Sequence, residues 1–178
     1  MIIDSQQFSQ EYAKSIWELL QANDQEFVPP LSDRISTTQQ NFEIDSNIQT
    51  ENGLNLYFHN MIKQSFILAL EKKQVVGFLS YIPNHNLCIN SKSIICDYVT
   101  TIIINAKYRK QGIARKMYKH LFSISVSPAF ATRTWSTNLA HIKLLDSEGF
   151  QLFLRIPNDR GLGIDTVYYI KKRKTKET

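Results

Sequence analysis

Arg109-Lys-Gln-Gly-Ile-Ala114 is the stretch of this chain whose residue types and spacing suit a phosphate. Gly112 lets an anion approach the backbone closely, and Ala114 keeps the way nearly as open. Beyond it, Ile113, Met117, Leu121 and Ile124 recur at helical spacing, with Arg115, Lys116 and Lys119 on other faces. A helix that starts here offers free backbone N–H groups and the positive end of its dipole, which together favour an anion. Residues 107–119 hold six basic side chains and no acidic one, so the local field has the matching sign.

That loop has to be held by its neighbours. Asp97-Tyr-Val-Thr-Thr-Ile-Ile-Ile104 is β-branched and aromatic, so a strand over 93–104 feeds the loop and a helix over 112–125 leaves it. Pro128 breaks that helix, and 129–135 reads as the next strand. Asn138 is a good N-cap and Gly149 a good residue just past a helix end, which brackets a helix over 138–148. Strands at 150–156 and 166–171 close a hairpin across the loop that starts at Asn158. Upstream, the apolar stripe Phe8, Tyr12, Ile16, Leu19, Leu20 predicts a helix over 6–22, capped near Asp4 or Ser5. Pro29-Pro30 and the polar stretch 32–40 mark a loop or a broken helix, and 53–63 a further helix. Residues 64–70 and 75–81 form a hairpin through Glu71-Lys72-Lys73-Gln74. Turns are expected at Asn84-His85-Asn86 and at Asn90-Ser91.

The bulk properties exclude several classes. A chain of 178 residues suits one domain with a real core, placed at 1–172, followed by a basic tail over 173–178. The net charge of +5 comes mostly from residues 171–178, which carry +4, so it does not signal nucleic-acid binding. Residues 1–50, by contrast, carry −6. There is no signal-peptide pattern and no apolar run of about 18 residues, so a cytoplasmic protein that neither spans nor needs a membrane is expected. Cys88 and Cys96 fit neither a zinc spacing nor a disulfide framework, and no metal is expected. Gly161-Leu-Gly163 precedes a strand rather than a helix, so it is not a dinucleotide fingerprint.

The pattern of Arg109, Gly112 and Ala114 resembles the coenzyme A signature of the GNAT superfamily of N-acetyltransferases, Gln/Arg-x-x-Gly-x-Gly/Ala. Asn138-Leu-Ala-His-Ile-Lys-Leu-Leu-Asp-Ser-Glu-Gly149-Phe150 resembles that family's later motif, where an Asn opens a helix closing on Gly-Phe. The resemblance implies an α/β (α+β) fold: a mixed, mostly antiparallel sheet flanked by helices. One parallel pair, 93–104 with 129–135, is splayed to admit acetyl-CoA. The family's opening strand has only Met1-Ile2-Ile3 available here, so it should be short.

The resemblance further implies acetyl transfer from acetyl-CoA, as cosubstrate, to an amine of a small molecule or peptide. The backbone of Ile102, Ile103 and Ile104 would hold the pantetheine arm. Arg109, Lys110, Gln111, Gly112, Ile113, Ala114 and Arg115 would bind the pyrophosphate, and Asn138 would contact the arm. The family often places a carboxylate base eleven residues before Arg109, where this chain has Tyr98, beside Asp97 on the opposite face. An ordinary Tyr is a poor base at neutral pH. Asp97 could serve if a bulge changed the strand parity, and water is a third route. The family's Tyr acid, four residues before Gly-Phe, is Leu145 here, so Tyr168 or Tyr169 would have to replace it. The acceptor side would be built from 23–35 and 157–166. Asp33, Asp159 and Asp165 would favour a cationic amine there, while Arg34 and Arg160 could instead bind a carboxylate. A catalytically silent acyl-CoA-binding module on the same fold is the alternative, and a homodimer is left open.

Overall fold

A computed structural model describes residues 1–40, 42, 53–89 and 92–173. In chain order its elements are β1 (Ile2–Gln7), α1 (Gln10–Asn23), α2 (Gly53–Met61), β2 (Ser65–Glu71), β3 (Gln74–Ile89) and β4 (Lys92–Ile104). They continue with α3 (Ile113–Ile124), β5 (Ala129–Trp135), α4 (Leu139–Ser147), β6 (Gln151–Ile156) and β7 (Thr166–Lys172). Short 3-10 turns lie at Asp24–Glu26, Leu31–Asp33 and Ala106–Tyr108. The strands form one seven-stranded sheet in the order β1-β2-β3-β4-β5-β7-β6, mostly antiparallel. β4 and β5 are the parallel pair that was expected, joined at Asp97↔Phe130, Tyr98↔Ala131 and Val99↔Thr132. Their ladder stops there although β4 continues to Ile104.

Two expectations at the N-terminal side are corrected. β1 is not confined to the first three residues. It pairs with β2 from Ile2↔Leu70 to Gln7↔Ser65. The apolar stripe starting at Phe8 is helical only from Gln10, and Ser9, not Asp4 or Ser5, caps it by accepting from the Glu11 N–H. Pairing with a buried neighbour overrides the helical pattern over those first residues. The hairpin at Lys72-Lys73 is as expected, with both residues at positive φ as a two-residue hairpin loop demands. The turn expected at Asn84-His85-Asn86 is instead a left-handed kink inside β3, with φ +49° at Asn84, and the strand runs on to Ile89. The turn expected at Asn90-Ser91 and the tail beyond Arg173 lie outside the described residues.

The chain groups into two compact units. The first comprises Met1–Tyr81 and Thr100–Ile124. In it Ile16, Leu19 and Leu20 of α1 and Tyr57 and Met61 of α2 pack on Phe66, Leu68, Phe78 and Ile103. α3 lies against β1 and β2, whose alternate residues Ile67 and Ala69 are also fully buried. Gly77 of β3 is required by close approach, because a Cβ there would meet the Ile103 carbonyl oxygen at 2.9 Å and Ile104 Cδ1 at 2.7 Å. The second unit comprises Ile82–Val99 and Ser125–Thr178. Its core joins Leu87, Ile89, Cys96, Tyr98, Ala129, Ala131, Tyr168 and Ile170 on one face of the strands. Among the described residues no helix is long and apolar enough to cross a membrane.

Candidate functional site

The loop and the helix it feeds take the form the sequence predicts. Lys110 and Gly112 adopt left-handed conformations, at φ +61° and +74°, and turn the chain into α3. A Cβ on Gly112 would meet nothing within 4 Å, so the loop face at this position is open. The first backward bond of α3 runs from the Lys116 N–H to the Gly112 carbonyl at 3.0 Å. The N–H groups of Ile113, Ala114 and Arg115 therefore precede the helical ladder and stand at the positive end of the dipole. Ile113 is buried as an anchor, while Arg115 and Lys116 are exposed. Open backbone, first-turn N–H groups and flanking cations fit a pyrophosphate.

Arg109 behaves differently from a free phosphate ligand. Its guanidinium bonds Asn23, pairs with Glu26 at 2.9 Å and donates through Nε to the Ile104 carbonyl at 3.0 Å. It thus ties the loop to the end of α1. The Ile104 carbonyl, one of the groups expected to meet the pantetheine arm, already accepts from Arg109. Ile103 turns its side chain into the core of the first unit, and Ile102 and Ile104 are half-buried. Asn138 caps α4 by accepting from the His141 N–H at 3.3 Å, and its amide donates to Thr134 Oγ1 at 3.0 Å. Burial pushes His141 down to about 4, so its ring is neutral at neutral pH.

In the second unit the structure separates the two proton-handling candidates of β4. Tyr98 is 2% exposed, and burial pushes its phenol up to about 12, against the opposing pull of Arg133 and Arg160. It holds its proton and cannot act as a base. Asp97 is 3% exposed on the other face, and its carboxylate accepts from the Asn84 N–H at 3.0 Å. The expected change of strand parity does not occur in β4. The irregularity is at Asn84 of β3, and Asp97 braces it. The residue after the kink, His85, stacks on Tyr98 with ring centroids 5.3 Å apart and 24° between planes. Burial lowers the His85 pKa. Sequence reading placed His85 in a turn. The apolar alternation of Leu87 and Ile89 after it was the available sign that the strand continues.

Tyr168 shares the Tyr98 core and receives a bond from Arg133 Nη1 at 3.4 Å, across the pair Arg133↔Tyr168. Tyr169 points to the opposite face, where burial, and next the nearby Asp146 charge, raise its pKa. Leu145 is fully buried core. Arg160 donates through Nε to Thr166 Oγ1 at 2.8 Å and stacks 5.8 Å from the Trp135 ring centroid. Thr166 in turn donates to Asp159. Asp165 is held below the usual carboxylate range, first by the Asn158 N–H and then by Arg155. In the first unit, Arg34 donates to the Pro29 carbonyl at 2.8 Å and lies over the rings of Phe27 and Phe42. Asp33 is exposed. Asp159, Asp165 and Arg34 thus brace their own loops. Arg133 and Trp135 were missed by sequence reading, although a lone arginine inside the apolar strand 129–135 was a legible anomaly. Among the described residues no group of three or more His, Cys, Asp or Glu is placed to hold a metal ion.

Comparison with solved structures places this fold in known company. A GNAT-family acetyltransferase from Bacillus cereus superposes with a TM-score of 0.64 at 17% identity, over 98% of this chain and 100% of that one. An aminoglycoside 6'-N-acetyltransferase from Enterococcus faecium gives a TM-score of 0.68 at 13% identity, over 100% of both chains. A Salmonella typhimurium structure solved with its cofactor acetyl-CoA gives 0.62 at 14% identity, over 100% of this chain and 98% of that one. No curated protein matches the sequence. The sequence model of the Acetyltransferase (GNAT) family matches residues 16–150, and the chain belongs to that family.

Proposed function

We propose that the chain moves the acetyl group of acetyl-CoA to a primary amine of a small molecule or peptide. The observation that carries this reading is the left-handed turn at Gly112 delivering the open N-terminus of α3. Bound acetyl-CoA supplies an acetyl thioester whose C–S bond breaks as a C–N bond forms, the amine losing a proton and the thiolate gaining one. The N–H groups from Gln111 to Arg115 hold the pyrophosphate, and Lys110 and Lys116 add charge beside it. The backbone of Ile102 and Ile103, on the stretch of β4 beyond its ladder with β5, takes the pantetheine arm as a strand edge would.

The proton acceptor is His85. A base must be unprotonated at the working pH, and its buried imidazole is neutral there. It lies against Tyr98, the position that the family resemblance gives to a carboxylate base. Tyr98, which keeps its proton, and Tyr168 are the hydroxyls on that face able to return a proton to the thiolate.

Coenzyme A at a hundredfold excess over its dissociation constant should stabilise the protein by about 2.7 kcal/mol. Gly112→Asp should lose that shift, since a carboxylate would face the pyrophosphate from a backbone conformation costing about 1–2 kcal/mol for any L side chain. Mass spectrometry of an amine panel then reads acetyl transfer. A normal shift in the Asp variant would remove the loop from the reading. A normal shift in the unaltered protein with no product from any amine would make it the silent acyl-CoA-binding module.

A further inference from the structure

On the second unit, Tyr98, Ala131, Arg133, Trp135, Thr166 and Tyr168 lie on one face of β4, β5 and β7, as the register requires. Tyr98 is level with Ala131, Arg133 with Tyr168, and Trp135 with Thr166. Period two then puts the β5 residues 131, 133 and 135 on the same side. Two guanidinium groups share this face, and each is anchored through one nitrogen. Arg133 is steadied by the Tyr168 hydroxyl. Arg160 is fixed by Thr166, whose hydroxyl passes its own hydrogen to Asp159, and by the Trp135 indole beneath it. A guanidinium fixed at one edge presents its remaining N–H donors in a planar fork, the shape that matches a carboxylate. Both charges act on the Tyr98 phenol, which places them around the same aromatic centre.

We infer that this face binds the carboxylate of the acceptor through Arg133 and Arg160, so that the substrate is an amino acid-like amine rather than a polycation. The inference rests on the acetyl-transfer reading, which puts the amine beside His85 and Tyr98. The aromatic surroundings, Tyr98, Tyr168 and Trp135, favour an apolar body between the amine and carboxylate ends. Asp159 is the carboxylate nearest Arg160 through Thr166, and that link holds the guanidinium in place. A polyamine or aminoglycoside would bring like charge against both arginines. The carboxylates that would have drawn a cation here are otherwise engaged: Asp165 with Arg155 and the Asn158 N–H, Asp97 with the Asn84 N–H on the opposite face.

The test compares amines that differ only in the carboxylate. Phenylalanine should be acetylated with a kcat/KM about 10- to 100-fold above phenethylamine, the worth of a charge-assisted contact. Arg133→Gln and Arg160→Gln should each erase most of that preference, acting through KM. Arg133→Lys should keep part of it, and none should change the coenzyme A melting shift that reports an intact fold. Titration calorimetry with N-acetylphenylalanine and N-acetylphenethylamine reads the same preference without turnover. Equal use of both amines, preference for kanamycin, or Gln variants that weaken both amines alike would overturn the inference while leaving acetyl transfer standing. Arginine-dependent binding of N-acetylphenylalanine with no acetylation of any amine would uphold the carboxylate site and overturn the acetyl-transfer reading instead. Absence of both binding preference and turnover overturns the inference.

Discussion

His85 is neutral at neutral pH because burial disfavours its charged form, and this fixes the sign of its pH dependence. The neutral ring is the one that accepts a proton, and its pKa lies below the ordinary 6.5. Besides the limb set by the acceptor's own ionisation, kcat/KM should therefore hold steady down to that lowered value and fall only beneath it. His85→Gln should remove this acid limb and slow turnover by roughly a hundredfold or more. An unchanged acid limb in the variant would assign proton removal to solvent. At single positions the sequence was an uneven guide. Arg109, Gly112 and Ala114 were legible because their chemistry is local: a loop, a helix start, a phosphate. His85 and Arg133 were not, because each acquires its role only from a neighbour on another strand, Tyr98 or Tyr168.

The strands and helices were legible wherever one periodicity ran unbroken, as in β5, α3 and α4. They were misread where tertiary pairing overrode the local signal. β1 absorbs residues that a helical stripe had claimed, because β2 offers a full row of partners. β3 passes through an Asn-His-Asn cluster that reads as a turn, because Asp97 satisfies the kinked N–H. Within β3, Gly77 governs how closely β4 approaches. Gly77→Ala should push Ile103 and Ile104 outward, cost about 1–3 kcal/mol, and weaken coenzyme A binding more than an equally destabilising change elsewhere. Urea unfolding and coenzyme A titration on the same preparation separate the two effects. An unaltered affinity would detach this stretch of β4 from the pantetheine arm.

Taken as a molecule, the family and its sheet were readable from two short motifs and a strand count, whereas the acceptor was not, since loops near the site use most of their charges internally. The basic C-terminus shows the same division. Arg173 was assigned to a solvated tail, yet its N–H bonds the Pro128 carbonyl at 2.8 Å and its side chain bonds the Ser127 carbonyl at 3.0 Å and lies over Phe130. Ending the chain after Arg173 should leave the urea midpoint unchanged. Ending it after Lys172 should cost roughly 1–3 kcal/mol. Equal midpoints for the two truncations would return Arg173 to the tail. The kink at Asn84 carries a last consequence. Because side chains on a strand alternate, losing or gaining one residue between Tyr81 and Leu87 would turn His85, Leu87 and Ile89 to the wrong side together. In this part of the gene, codons can be exchanged more safely than they can be added or removed.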